Sequence, residues 1–161
     1  MRAHAPLHHL IFWEAAGRPT GTTWRDIRND LVLVATSANP GGEPLVIDDA
    51  DARRRLGGIA DAFLVHDRDI ATRCDDSVAR VIAGKPTLLR RSRGWVPRPV
   101  TLARPVTQPV LAVGGQLKNT FCLAAGDCAY LGPHIGDLDN LAAQDFLTDA
   151  VARMQALLRI T

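Results

Sequence analysis

A short apolar run, Leu31, Val32, Leu33 and Val34, leads directly into Ala35, Thr36, Ser37, Ala38, Asn39, Pro40, Gly41, Gly42, Glu43 and Pro44. Four apolar residues, two of them β-branched, predict a strand covered on both faces, as in a parallel or mixed α/β sheet. In such sheets ligands sit beyond the carboxyl ends of the strands, where a small-residue turn lets backbone N–H groups approach an anion. Ser37 and Asn39, two apart in extended chain, would point the same way. Pro40 and the glycine pair then turn the chain. Taken alone, the segment also reads as an ordinary turn.

A chain of 161 residues forms one ordinary domain or two small pieces, and a hydrophobic content of 47% is enough for a core. The formal charge of +2 gives no global reason to bind nucleic acid or a membrane surface. No run approaches the roughly 18 apolar residues of a membrane span. The start, Met1, Arg2, Ala3, His4, Ala5 and Pro6, lacks the apolar centre of a signal peptide, so a cytoplasmic location is expected. Cys74, Cys122 and Cys128 are odd in number and form no Cys-x-x-Cys pair. Reduced thiols are therefore expected, with neither a disulfide framework nor a structural zinc site.

Pro6, Leu7, Leu10, Ile11 and Ala15 have helical spacing, with Gly17 placed to end the helix. His8 and His9 are adjacent on it, about 100° apart in azimuth, and do not make a chelating i, i+4 pair. Residues 20–30 read as a loop. Asp48, Asp49 and Asp51 ahead of Arg53, Arg54 and Arg55 put acid at the start and base at the end of a short helix closed by Gly57 and Gly58. Residues 62–65 read as a strand, and residues 77–82 and 87–90 as an antiparallel pair joined at residues 83–86. Pro97, Pro99, Pro105 and Pro109 then favour an extended connector, with the boundary near Leu102. Beyond it, residues 110–113, 120–124 and 128–131 read as a β-meander with turns at Gly114–Gly115 and Gly126–Asp127. Leu141, Phe146, Leu147, Ala150, Val151, Met154, Leu157 and Leu158 keep the spacing of a helix facing a core. About 55 residues of this kind bury too little to be secure alone, so more sheet is expected to follow.

Three clusters could carry chemistry. Antiparallel pairing would bring Ser77 near Arg90, Arg91 and Arg93, whose guanidinium groups offer paired donors matched to phosphate or carboxylate oxygens. With Ser37 and Asn39 they would make a phosphate pocket; a solvated basic edge, pairing with Asp75 and Asp76, or a nucleic-acid footprint are the other readings. Gly114 and Gly115 precede Lys118, Asn119 and Thr120, a turn that could hold phosphate oxygens, although the spacing is not that of a Walker loop and no helix follows. His134 and Asp137 could stand together as an acid/base or metal pair, or lie in a surface loop.

Taken in order, these stretches resemble the HypF carbamoyltransferase family of [NiFe]-hydrogenase maturation. The resemblance is carried by Pro6-Leu7-His8-His9-Leu10, by residues 36–44, by Asp75-Asp76-Ser77-Val78, by residues 89–94, by Leu117-Lys118-Asn119-Thr120-Phe121-Cys122 and by His134-Ile135-Gly136-Asp137-Leu138. It implies an α/β fold: residues 1–102 as the C-terminal part of a YrdC-like twisted α/β domain, residues 103–109 as a proline-rich linker, and residues 110–161 as the start of an actin-like transferase domain.

The resemblance further implies that carbamoyl phosphate and ATP, with Mg2+, give carbamoyl adenylate, whose carbamoyl group passes to the C-terminal cysteine of HypE and later becomes the hydrogenase's cyanide ligand. From the resemblance, nucleotide contacts would fall to Ser37, Asn39 and the segment holding Arg90, Arg91 and Arg93; residue chemistry adds Ser77, Lys118, Asn119 and Thr120 as nucleotide or phosphate candidates, all in an electrostatic rather than covalent role. No catalytic residue or metal ligand is assigned. Zinc is implied only for parts of the family that have no counterpart here. Those missing parts also lead to the expectation of a fragment inactive on its own. A threonylcarbamoyl-adenylate synthase relative or a double-stranded-RNA-binding module remains the alternative.

Overall fold

The computed structural model describes residues 6–160, which divide into two compact units, Met1–Thr36 and Ser37–Thr161. The first holds α1 (Pro6–Ala15), helical where the apolar spacing predicts it, and a single 3-10 turn, Thr23–Asp26, within the expected loop. Past α1, the Trp13 indole donates to the Pro19 carbonyl at 2.9 Å, and Arg18 pairs with Glu14 across one helical turn. The strand expected at residues 31–34 does not form. Val32 and Val34 are 85% and 95% exposed, and no described segment pairs with them. A β-branched run becomes a strand only when a neighbour supplies ladder hydrogen bonds and a packing surface.

The second unit contains α2 (Asp49–Leu56), β1 (Val78–Ile82), β2 (Lys85–Arg90), β3 (Val100–Val113), β4 (Phe121–Leu131) and α3 (Leu141–Leu158). This is a mixed α/β arrangement with two antiparallel two-stranded sheets, β1–β2 and β3–β4. The Asp48 carboxylate caps α2 by accepting from the Asp51 N–H, and acidic and basic residues occupy its first and last turns in dipole order. β1 and β2 pair as expected, Ile82 opposite Lys85, with Ala83 and Gly84 both at positive φ in the turn. Residues 62–65, expected as a strand, are irregular chain with Leu64 exposed.

Two expectations for the later half change. The proline-rich segment 103–109 is not a connector but the middle of β3. Pro105 and Pro109 fall in the two stretches where the β3–β4 register shifts, between Thr101 and Val106 and between Val106 and Val110. Among the described residues β3 pairs only with β4, so prolines at those irregularities interrupt little of the ladder. The meander likewise has two strands, not three. Gly126, at φ +58, stays opposite Val106 inside β4, so the glycine bends one continuous strand where a turn was expected.

The core lies where β4 meets α3: Phe121, Leu123 and Ile135 pack with Phe146, Ala150 and Met154. The helix contributes positions four apart, the stripe read from the sequence. Asn140 caps α3 through its side-chain oxygen, and Arg159 closes it at φ 53. All three cysteines are free. Gly132 is the tightest point: its N–H donates to the Phe121 carbonyl at 2.7 Å, and a Cβ there would overlap the Phe121 ring, which is 1% exposed. Gly132→Ala is therefore expected to lower the unfolding free energy measured in urea by about 1–3 kcal/mol, as for an overpacked core, with partial recovery in Gly132→Ala/Phe121→Leu.

Candidate functional site

The turn after Thr36 is held by its own amide. Asn39 Nδ2 donates to the carbonyls of Pro40 at 3.0 Å and Glu43 at 2.8 Å, while the Val46 N–H donates to the Ala38 carbonyl at 2.9 Å. Both amide hydrogens of Asn39 are thus spent inside the turn, leaving its Oδ1 as an outward acceptor. The rest of the unit grips this turn from three sides. Arg73 Nε donates to the Leu45 carbonyl at 2.6 Å while its guanidinium lies 5.4 Å from the centroid of the Phe146 ring. Asn140 Nδ2 donates to the Gly42 carbonyl at 3.1 Å. On the far side Glu43 pairs with Arg55, which also binds Asp51 at 3.0 Å. That Arg55 bond is the main reason the Asp51 carboxyl lies below its ordinary range.

A second wall comes from residues 115–120 and 132–138. Asn119, 1% exposed, donates its backbone N–H to the Gly136 carbonyl at 2.7 Å, accepts from the Ile135 N–H at 2.9 Å, and donates its side-chain amide to the Gly115 carbonyl at 2.8 Å. The Thr120 hydroxyl is shared between the Gly132 and Pro133 carbonyls, both at 3.1 Å. Lys118, at φ 49, donates its N–H to Asp137 Oδ1 at 2.6 Å. These bonds fix the two segments side by side, so Lys118 and His134 face the same space.

That space is a cavity of about 310 Å3 lined by Ser37, Asn39, Arg73, Arg90, Lys118 and His134, with Glu43, Asp75, Asp137 and Asp139 around them. Arg90 reaches it from the end of β2, its guanidinium 3.6 Å from Asp75. Desolvation, then repulsion from Arg90, pushes the His134 imidazole below its ordinary value of 6.5, so the ring is neutral at pH 7. No described residue donates or accepts a hydrogen bond at that ring.

The nine candidate residues therefore separate. Ser37, Asn39, Arg90 and Lys118 converge on this cavity. Arg91 and Thr120 line an adjoining one. Ser77 does not reach either: its hydroxyl donates to the Arg93 carbonyl at 2.9 Å and accepts from the Ser92 N–H at 2.8 Å, tying the strand ends together. Arg93 is turned away onto Asp76, at 2.9 and 2.5 Å, which raises its pKa further. Asn119 is a buried brace, with no surface to offer a ligand. In the sequence, Arg73 stands at the head of the polar stretch Arg73-Cys74-Asp75-Asp76-Ser77 but is not assigned to the site, and its position over Phe146 needs a contact 73 residues away. Among the described residues no group of three or more His, Cys, Asp or Glu side chains could hold a metal ion, and no helix is long and apolar enough to cross a membrane.

The chain belongs to the Sua5/YciO/YrdC family, whose model, described as "Telomere recombination", matches residues 2–92; a second model, the HypF Kae1-like domain, matches residues 105–161. Over nearly its whole length it is similar to proteins named carbamoyltransferase HypF. It is 52% identical to carbamoyltransferase HypF2 of Cupriavidus necator over 99% of this chain and 20% of that protein. It is 47% identical to carbamoyltransferase HypF of Rhizobium leguminosarum bv. viciae over the same shares. A crystal structure of full-length HypF in a phosphate- and nucleotide-bound form superposes with a TM-score of 0.75 at 43% identity, covering 78% of this chain and 20% of that one. The chain thus spans about 20% of the length of the curated relatives it matches.

The cavity's electrostatics are open to a direct check. In an NMR titration His134 is expected to have its midpoint below 6.5, and Arg90→Met to move that midpoint upward. The unfolded ring takes its proton first as pH falls, so stability drops below pH 6.5 as the unfolded chain gains protons. In His134→Gln that part of the drop is expected to vanish.

Proposed function

We propose that the chain forms the nucleotide-facing part of a carbamoyltransferase that uses carbamoyl phosphate and ATP. The observation carrying this reading is the convergence of Ser37, Asn39, Arg90 and Lys118 on one cavity. A hydroxyl, an amide oxygen, a guanidinium and an ammonium together can hold a polyphosphate and its ribose, and the solved relative bound to phosphate and nucleotide supports the same ligand class.

In this reading water first cleaves carbamoyl phosphate to carbamate and inorganic phosphate; a carbamate oxygen then attacks the α-phosphorus of ATP, the bond to pyrophosphate breaks, and carbamoyl adenylate forms. Arg90 and Lys118 offset the charge that builds on the departing phosphate oxygens. Their neighbours Glu43, Asp75, Asp137 and Asp139 keep the cavity from being strongly positive, which suits the magnesium complex of ATP better than the bare polyanion. The carbamoyl group then passes to the sulfur of a C-terminal cysteine on HypE, releasing AMP, as one step in making the cyanide ligand of [NiFe]-hydrogenase.

Isothermal titration with MgATP tests the nucleotide step. Ser37→Ala and Lys118→Met are each expected to weaken binding about tenfold or more, the worth of a hydrogen bond to a charged group. Arg93→Gln, whose side chain only pairs with exposed Asp76, is expected to stay within about twofold of the parent. Equal losses in all three variants, or none, would rule out this cavity as the nucleotide site.

A further inference from the structure

His134 faces the nucleotide cavity and has no task in the adenylation step. With Arg90 and Lys118 it also lines an adjoining cavity of about 440 Å3, so these three side chains stand where the two spaces meet. The loop that carries it is pinned on both sides. The Gly132 and Pro133 carbonyls share the Thr120 hydroxyl at 3.1 Å each, and the Ile135 N–H donates to the Asn119 carbonyl at 2.9 Å. A half-buried ring on so fixed a segment, with both nitrogens free of hydrogen-bond partners among the described residues, is left with one donor and one acceptor for a ligand.

The groups around the ring sort by charge. Burial first, then Arg90 at the end of β2, hold it neutral; Lys118 acts with them, while Asp75 ahead of β1 and Asp137 on the ring's own loop oppose them. The four carboxylates of the cavity already have donors: Glu43 from Arg55, Asp75 from Arg90, Asp137 from the Lys118 N–H and Asp139 from the Asn140 side chain. Ser37 and Asn39 are uncharged but are committed to the nucleotide in the reading above. The neutral ring nitrogen of His134 is therefore the acceptor, set beside two cations, that an anionic ligand can approach without repulsion.

We propose that the His134 ring accepts a hydrogen bond from the amino group of the carbamoyl unit, making the cavity selective for a carbamoyl-bearing ligand over an acyl one of the same size. The inference rests on the carbamoyl-transfer reading and adds to it the residue that reads the substrate's nitrogen. Carbamoyl and acetyl groups share a carbonyl and nearly the same shape; they differ in that –NH2 donates and –CH3 does not. Arg90 and Lys118 attract the anionic end of either, so charge alone does not separate them. An acceptor fixed beside those cations does, because the acetyl analogue leaves it unpaired. An imidazolium has only N–H donors, so the selectivity belongs to the neutral ring.

The probes are carbamoylphosphonate and acetylphosphonate, stable anions that differ only in –NH2 against –CH3, each titrated into the full chain by NMR. At neutral pH the carbamoyl probe is expected to bind about three- to tenfold more tightly, the worth of one hydrogen bond. His134→Leu is expected to erase the preference, and His134→Gln, whose amide oxygen accepts, to keep part of it. As pH falls through the ring's midpoint, below 6.5, the preference is expected to fade in the parent and to persist in His134→Gln, which gains no proton. Both probes are read on the same variant, so partial unfolding weakens both and leaves their ratio unchanged. Equal binding of the two probes to the parent, binding of neither, or a preference that survives His134→Leu or the acid range would overturn the proposal. If MgATP binds and the probes do not differ, the role of His134 fails alone; if the carbamoyl probe is preferred and MgATP does not bind, the nucleotide reading fails instead.

Discussion

The arrangement depends on one piece of backbone stitching. Residues 116–121 are sewn to residues 132–138 by the Asn119, Gly132, Ile135 and Leu138 N–H groups, each with a carbonyl partner in the other segment at 2.7–2.9 Å. At the centre is Asn119, buried, whose backbone groups and side-chain Nδ2 are paired across the bend between β3 and β4 while its Oδ1 has no protein partner. A buried turn leaves several polar groups without water, and each one left unpaired costs about 1–3 kcal/mol. The same stitching sets Phe121 into the core and points Lys118 and His134 outward. Core and site are thus two faces of one hydrogen-bonded segment.

The turn at residues 37–46 is carried by different means. It has little packing of its own, Val46 and Pro44 being its buried residues, and instead is held through carbonyl oxygens by Arg73 and Asn140 and through Glu43 by Arg55. Each of these side chains has a second duty. Arg73 covers Phe146, Asn140 caps α3, and Arg55 binds Asp51. The cavity-facing Ser37 and Asn39 are therefore positioned by the unit's core helix and by α2. This links packing at Phe146 to geometry at the cavity.

Local features were legible in the sequence, and features that depend on a distant partner were not. α1, α2 and α3 follow from proline placement, charge order and apolar spacing, and the β1–β2 hairpin follows from its turn. The apolar run at residues 31–34 misleads because strand formation requires a neighbour that periodicity does not name. The prolines of β3 mislead in the opposite sense, since a strand paired on one side and broken by register shifts tolerates them. At the site, residue chemistry groups Ser37 and Asn39 with Arg90, and these line one cavity with Lys118, which the sequence places in a separate turn. It cannot tell that Arg93 and Ser77 are consumed by Asp76 and the Ser92–Arg93 backbone, because free and paired guanidinium groups look alike in a sequence. Arg73 enters only through its contact with Phe146.

The central claim is that a hydroxyl-and-amide turn and a cationic strand end share one nucleotide. It is tested most directly by a crystal structure of the chain with a non-hydrolysable MgATP analogue. The account predicts phosphate density within hydrogen-bond distance of Ser37, Arg90 and Lys118 together. Nucleotide bound elsewhere, with those three side chains left as they stand without it, would contradict the account.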